Sequence, residues 1–152
     1  MAIVIAYIES HKNKLIDELC ADYVKKTQGS FAMKLLKLES SKVTIPEKQQ
    51  ELETQSLLGK LKPGDKLILC DESGQSYSSP AFSKFLSKQL SESRGNIVIA
   101  IGGAYGFSRA ILDQYPKIKM SDFVFPHQIA RLVLVEQVYR AFQIDKGTGY
   151  HH

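Results

Sequence analysis

The sequence contains 152 residues, of which 43% are hydrophobic and 24% are charged. This length and composition are typical of one globular domain, and they exclude a disordered chain and a collagen-like repeat. The net charge of +4 resides in residues 77–152, which hold all four arginines (Arg94, Arg109, Arg131 and Arg140). Because a guanidinium group matches phosphate geometry, this half either binds an anionic partner or presents a solvated basic face.

The apolar segments and the number of cysteines indicate the cellular compartment. Ala2–Ile8 is apolar, but no basic segment precedes it, so we predict a first strand and not a signal peptide. The longest uncharged apolar stretch, residues 97–107, is interrupted by glycines and is far too short to span a membrane. Cys20 and Cys70 are too few for a disulfide framework or a zinc cluster, so we expect a cytoplasmic protein.

The hydrophobic pattern alternates between strand-like and helix-like segments along the chain. It predicts strands at residues 2–8, 31–38, 66–71, 96–101 and 123–125. It predicts helices at residues 12–26, 46–58 and 127–144, one that Ser79 caps after a polar loop at 72–78, and a short one that Ser108 caps. Strands that alternate with helices indicate one α/β domain over residues 1–152, with a mainly parallel sheet covered on both faces.

The last predicted helix is apolar around most of its circumference. A helix of this kind is buried on more than one side. One side would face the sheet, and the other would face a second subunit across a two-fold axis. The alternative is a central helix that is wrapped within one chain. The apolar residues are Ile129, Leu132, Val133, Leu134, Val135, Val138, Tyr139 and Phe142.

Three glycines follow the fourth predicted strand, at Gly102, Gly103 and Gly106. A strand that ends in glycines before a capped helix lets a ligand approach the backbone at the carboxyl edge of the sheet. The alternative is a tight turn that needs a positive φ. Asp122 has the position of a ribose-binding acid, but the Gly-Gly-x-x-Gly spacing and the fourth-strand location argue against a dinucleotide fold.

Metal and hydrolase sites are not indicated by the sequence. No pair among His11, His127, His151 and His152 has the spacing of helical zinc ligands, so we expect no metal. Cys70 stands at the carboxyl end of a strand, where it is either a nucleophile or a small buried hydrophobic residue.

The C-terminal half carries four motifs in order. They are Ile101-Gly102-Gly103-x-x-Gly106, Phe125-Pro126-His127, Arg131-Leu132-x-x-x-Glu136-Gln137-x-Tyr139-Arg140-Ala141, and the closing Tyr150-His151. This combination resembles the RlmH family of ribosomal RNA methyltransferases within the SPOUT superfamily. Length and element order agree over the whole chain, although residues 1–60 agree only in pattern.

This resemblance implies a parallel-sheet SPOUT-type domain with a C-terminal trefoil knot, and it implies a homodimer that binds S-adenosyl-L-methionine in the knot loops. The implied reaction is methylation of N3 of pseudouridine 1915 in helix 69 of 23S rRNA, on the assembled ribosome. The implied cofactor-binding residues are Cys70, Gly103, Ser121, Asp122, Phe123, Val124, Phe125 and Pro126. The Pro-Glu that is common in the family's glycine loop is Ala104-Tyr105 here, so the loop itself has no carboxylate.

The implied chemistry needs no metal, because the methyl group is already activated. The enzyme must align N3 with the methyl carbon and help N3 lose its proton. Arg140 is the candidate that stabilises the anionic base, His151 assists proton removal or positions the uracil, and Tyr150 stacks or donates a hydrogen bond. Another RNA target, or a non-catalytic RNA- or nucleotide-binding module, is the alternative. A charge of +4 gives weak binding to free RNA, which favours a ribosomal partner. No membrane partner is expected, because no apolar segment is long enough to span a membrane.

Overall fold

The computed structural model describes residues 1–27, 29 and 31–152, and these contain five parallel strands. The strands are β1 (Ala2–Glu9), β2 (Ala32–Glu39), β3 (Lys66–Ser76), β4 (Ile97–Ile101) and β5 (Lys117–Lys119). Their order in the sheet is β2-β1-β4-β3-β5, and every pair is parallel. The helices are α1 (Lys14–Lys26), α2 (Pro46–Leu58), α3 (Ser79–Glu92), α4 (Arg109–Leu112) and α5 (His127–Asp145). The predicted α/β class with a parallel sheet is therefore confirmed.

The sheet separates two hydrophobic cores because successive side chains of a strand point to opposite faces. In β4 all five residues are buried. Ile97, Ile99 and Ile101 pack with residues of α1, α3 and α5. Val98 and Ala100 pack with residues of α2 and α4 on the other face.

Most helix boundaries follow the predicted capping residues. Pro46 begins α2, Gly59 caps its C-terminus, and the Ser108 hydroxyl accepts a hydrogen bond from the Ile111 amide at the start of α4. The predicted cap of α3 is wrong by one residue, since Ser78 is the N-cap and its Oγ accepts from the Ala81 amide. Ser79 is inside the helix, and its hydroxyl donates to Gln137 Oε1 at 2.6 Å.

The fifth strand is not where the sequence pattern predicted it. Residues 123–125 form a loop, and the strand lies instead at Lys117–Lys119, where it pairs with β3. Phe123 is 82% exposed and Val124 is 93% exposed. Aromatic and β-branched residues favour a strand only where a neighbouring strand can pair with them, and β5 has already taken the place beside β3.

β3 continues beyond its predicted end at Asp71, so the predicted polar loop is partly strand. Ile118 pairs with both Cys70 and Gln75, which leaves residues 71–74 as a bulge around β5. A Cβ at Gly74 would lie 2.5 Å from the Ile118 carbonyl carbon, so this close approach requires glycine. The trefoil knot remains a prediction, and the passage of β5 against this bulge is compatible with it.

Helix α5 is covered on several sides by its own chain. It packs between α1 and α3 and against β1 and β4, and this buries Leu134, Val135, Val138 and Phe142. Much of the all-round apolar pattern is therefore explained by the alternative of a helix wrapped within one chain. Ile129, which is 38% exposed, lies on the remaining outer face. Within the described ranges, no helix is both long and apolar enough to cross a bilayer.

Candidate functional site

A cavity of about 470 Å³ opens at the carboxyl edge of the sheet. It is bounded by residues 70–72 of β3, where the bulge begins, the end of β4, the glycine loop (residues 102–106) and the loop between β5 and α5. The residues predicted to bind a cofactor line it together, except Pro126, which is the N-cap of α5 between two lining residues. Those that line it are Cys70, Gly103, Ser121, Asp122, Phe123, Val124 and Phe125.

The glycine loop is a tight turn as well as a wall of the cavity. The Gly106 amide donates to the Gly103 carbonyl at 3.0 Å, and the two residues form an isolated antiparallel bridge. Gly106 has a φ of +64°, which favours glycine. A Cβ at Gly102 would lie 3.0 Å from the Gly106 backbone. The tight-turn interpretation is therefore confirmed, and because the same turn exposes backbone to the cavity, the approach of a ligand to it stays a prediction.

The loop between β5 and α5 is held by short polar contacts. Lys119 Nζ lies 2.6 Å from Asp122 Oδ1, and this hydrogen bond and charge lower the pKa of Asp122. The Phe123 amide donates to Ser121 Oγ at 2.9 Å. The Phe123 and Val124 side chains point to solvent, so these residues can contact a ligand chiefly through their backbone.

Cys70 does not have the properties of a nucleophile. Burial, and to a smaller extent the charge of Asp71, raises the pKa of Cys70 to about 12. The thiolate is the nucleophilic form, and at neutral pH this thiol is protonated. Of the two alternatives for Cys70, the structure favours the small hydrophobic residue that packs against the core.

The predicted catalytic residues form a second cluster, which is centred on Glu136. Glu136 Oε1 accepts hydrogen bonds from Arg140 Nη2 at 2.7 Å, Arg140 Nε at 3.0 Å and the Tyr150 hydroxyl at 3.0 Å. The Tyr150 ring packs edge-on against Tyr139, with 4.9 Å between centroids, and Arg140 lies over the same ring. Residues 150 and 151 are thus folded back onto α5, although nothing in their local sequence indicated an ordered end.

Protonation states in this cluster follow from its contacts. The hydrogen bond to Glu136 raises the pKa of Arg140, and burial together with the bond to Glu136 raises the pKa of Tyr150. Arg140 Nη1 lies 3.2 Å from His151 Nδ1. Because a guanidinium can only donate, Nδ1 accepts this bond, and the proton of the neutral ring is on Nε2. Arg140 is thus a cation, Tyr150 a donor, and His151 a donor through Nε2.

The two sets of predicted residues are not brought together within one chain. His127 borders the cavity at the start of α5, whereas Arg140 lies further along the same helix. At 1.5 Å per residue the helix separates Arg140 by about 20 Å from His127 and by about 15 Å from Ala130, which also lines the cavity.

Sequence reasoning did not assign a role to Glu136, which was treated only as part of a motif. Its i, i+4 spacing to Arg140 was the available signal, because such residues are neighbours on a helix face. It also did not identify Lys119, whose contact with Asp122 depends on where β5 ends.

Comparisons with known proteins agree with this architecture. A family profile described as "Predicted SPOUT methyltransferase" matches residues 1–151. Three relatives bear the name "Ribosomal RNA large subunit methyltransferase H". The relative from Bacteroides fragilis is 40% identical over 135 residues, which is 86% of each chain. The relative from Flavobacterium psychrophilum is 37% identical over 100% of this chain and 99% of its own. That from Pelobacter propionicus is 30% identical over all of both chains.

Solved structures show the same fold at low sequence identity. One is described as "Crystal structure of probable rRNA-methyltransferase from Porphyromonas gingivalis"; its TM-score is 0.57 at 12% identity, over 95% of this chain and 69% of that chain. Another is described as "Structural insights into the 2-OH methylation of C/U34 on tRNA"; its TM-score is 0.52 at 11% identity, over 96% of this chain and 97% of that chain. At these identities the structures establish the fold alone.

Proposed function

The chain belongs to the SPOUT methyltransferase family, as its C-terminal motifs predicted, and we propose that it methylates ribosomal RNA of the large subunit. The methyl donor in this proposal is S-adenosyl-L-methionine. The observation that carries the proposal is the cavity at the carboxyl edge of the sheet, where β3, the glycine loop and the loop between β5 and α5 bring all but one of the predicted cofactor residues together.

The lining of the cavity suits this cofactor in its apolar surface and in its charge. The backbone of the glycine loop lines it, and apolar Ile101, Met120 and Ala130 offer surface for an adenine ring. Asp71 and Glu72 add carboxylates that favour a cationic ligand. When it is bound, the cofactor supplies a methyl group that its sulfonium has already activated.

In our proposal the cluster of Glu136, Arg140, Tyr150 and His151, which we call the tail cluster, acts on the acceptor base. Arg140 keeps its positive charge and stabilises the anion that forms when N3 of a uracil ring loses its proton. Tyr150 remains protonated and donates a hydrogen bond or stacks on the base. His151 donates from Nε2 to position a uracil carbonyl, and it could accept a proton at Nδ1 only after its contact with Arg140 breaks.

The separation of the two residue sets supports a homodimer. Because about 15–20 Å of helix lies between them, we infer that the tail cluster of one chain does not act on a base held at its own cavity. A second copy that places its tail cluster over this cavity would complete the site. The exposed outer face of α5 around Ile129 is an apolar surface available for this contact.

The proposed acceptor is N3 of pseudouridine 1915 in helix 69 of 23S rRNA, on the assembled ribosome in the cytoplasm. The relatives' names support the large-subunit RNA, and the modest net charge supports a ribosomal particle over free RNA. Residues 1–152 would act as one domain in each subunit. The competing candidates are another RNA target and a module that binds RNA without catalysis.

The deciding experiment uses ribosomes from a strain that lacks this protein. Ribosomes, free 23S rRNA and tRNA are incubated separately with the protein and labelled S-adenosyl-L-methionine, and the labelled nucleoside is identified by mass spectrometry. We expect 3-methylpseudouridine from the ribosomes alone. Label in tRNA would support the other-target alternative, and cofactor or ribosome binding without any transfer would support the non-catalytic alternative.

A further inference from the structure

A buried carboxylate from α2 lies directly against the glycine loop. Glu53 is only 4% exposed. A Cβ added to Gly103 would collide with Glu53 Oε2 and would lie 3.0 Å from its carboxyl carbon. Gly103 lines the cavity and Glu53 does not, so the carboxylate supports the loop from the side that faces away from the ligand space.

Three hydrogen bonds fix the position of this carboxylate. Glu53 Oε1 accepts from Gln49 Nε2 at 2.9 Å, Ser40 Oγ at 3.2 Å and the Ser41 amide at 3.2 Å. This carboxylate cannot swing aside without breaking all three hydrogen bonds, of which the bond from Gln49 is buried. Glu53 therefore presents a rigid surface to Gly103.

The same face of α2 contacts the loop at a second point. Gln50, one turn before Glu53, donates from Nε2 to the Tyr105 carbonyl at 2.7 Å. The loop's own turn has a single hydrogen bond, between Gly106 and Gly103. Its position relative to the cavity therefore depends on contacts from outside the loop, and α2 supplies them at both Gly103 and Tyr105.

We propose that Glu53 is a positioning residue that sets the glycine loop in its ligand-binding conformation and that makes glycine obligatory at position 103. A Cβ at Gly103 would point toward Glu53 and not into the ligand space. Gly103 has no positive φ either, since Gly106 is the loop glycine that does. The effect on cofactor binding rests on the proposed function, whereas the support of the loop does not.

A double-mutant cycle tests whether Glu53 and Gly103 are directly coupled. Affinity for S-adenosyl-L-methionine is measured by calorimetry for wild type, Gly103→Ala, Glu53→Ala and the double variant. Gly103→Ala should weaken binding by about tenfold or more, because the new methyl group pushes the loop off the fixed carboxylate. The double variant should bind more tightly than Gly103→Ala alone, because the truncated side chain leaves room for that methyl group. Glu51→Ala is the matched control, since Glu51 is exposed on the same helix, and its affinity should equal that of wild type.

A second measurement does not depend on the cofactor. Hydrogen exchange of the amides in residues 102–108, without any ligand, should be faster in Glu53→Ala and unchanged in Glu51→Ala. If Glu53→Ala does not fold, Glu53→Asp withdraws the carboxylate while it keeps the charge, and the same cycle is run with it. A general loss of stability would lower the unfolding temperature, but it would not make the double variant bind better than Gly103→Ala.

The outcomes separate this inference from the proposed function. If wild type binds no S-adenosyl-L-methionine, the proposed function fails, and the exchange experiment still decides whether Glu53 supports the loop. If wild type binds but the effects of the two substitutions simply add, the inference is wrong. Unchanged exchange in the loop of the Glu53 variant would also overturn it.

Discussion

The order of the C-terminal tail should depend on one hydroxyl group, which Tyr150→Phe removes. That hydroxyl donates to Glu136 Oε1 at 3.0 Å. A hydrogen bond to a charged group contributes about 1.5–3 kcal/mol, and this partly exposed pair belongs at the lower end. A loss of about 1.4 kcal/mol corresponds to a tenfold change in an equilibrium constant. The ring still packs on Tyr139, so we expect about tenfold more frequent opening of the tail and an unchanged global stability.

Hydrogen exchange of residues 148–152, followed by mass spectrometry, measures this opening directly. Tyr115→Phe is the control, because that ring packs in the core on the opposite face of the sheet. Single-turnover methyl transfer to ribosomes should fall with the increase in tail opening.

The pH dependence gives a further check with a definite sign. The pKa of Tyr150 is raised by burial and by its bond to Glu136, so the protonated form is favoured in the folded tail. The contribution of this bond is therefore complete below the ordinary tyrosine pKa and is lost as the pH rises through the raised value. Tail protection should be constant from about pH 8 to 9, once corrected for intrinsic exchange. Equal exchange in wild type and Tyr150→Phe would refute the reasoning, and so would an equal effect of Tyr115→Phe.

Three other outcomes follow from the same structure. Deletion of residues 149–152 should leave the fold and cofactor affinity intact while transfer falls by orders of magnitude. His151→Ala should cost less than the deletion, and at most the factor of about 10²–10⁴ that a proton-transferring group contributes; equal rates would remove the tail from the site. Arg131→Ala should lower the free energy of unfolding in urea by about 3–5 kcal/mol. The reason is that Arg131 is 1% exposed and its loss leaves Glu9 buried without its cation. A loss below about 1 kcal/mol would contradict this prediction. Cys70 should resist iodoacetamide at pH 8 in the folded protein and react in urea, because burial raises its pKa to about 12. Rapid labelling of Cys70 in the native protein would contradict this, since it would show that the thiol is accessible and ionised.

The sequence alone determined the features that depend on neighbouring residues. Strand periodicity located β1 and β4, and Pro46, Gly59 and Ser108 marked helix ends because caps act within a few positions. The order of motifs near the C-terminus identified the family. That identification, and not periodicity, pointed to the residues that meet at the cavity.

Only the tertiary structure decided which distant segments meet. Residues 123–125 have the composition of a strand, but β5 occupies the edge beside β3, so they form an exposed loop. The apolar circumference of α5 indicated a partner, yet α1 and α3 cover much of it. Whether an apolar face is covered depends on topology, which a local pattern does not contain.

The support of the glycine loop illustrates the same limit most clearly. Gln50 and Tyr105 are 55 positions apart in sequence and are joined by one hydrogen bond. Glu53 is an ordinary helical acid in the sequence, and its burial against Gly103 arises only when α2 packs beside the end of β4. Residue type and spacing set the local conformation. The neighbours of a buried side chain are decided only when the layers of the domain pack together, because packing joins segments that lie far apart in the sequence.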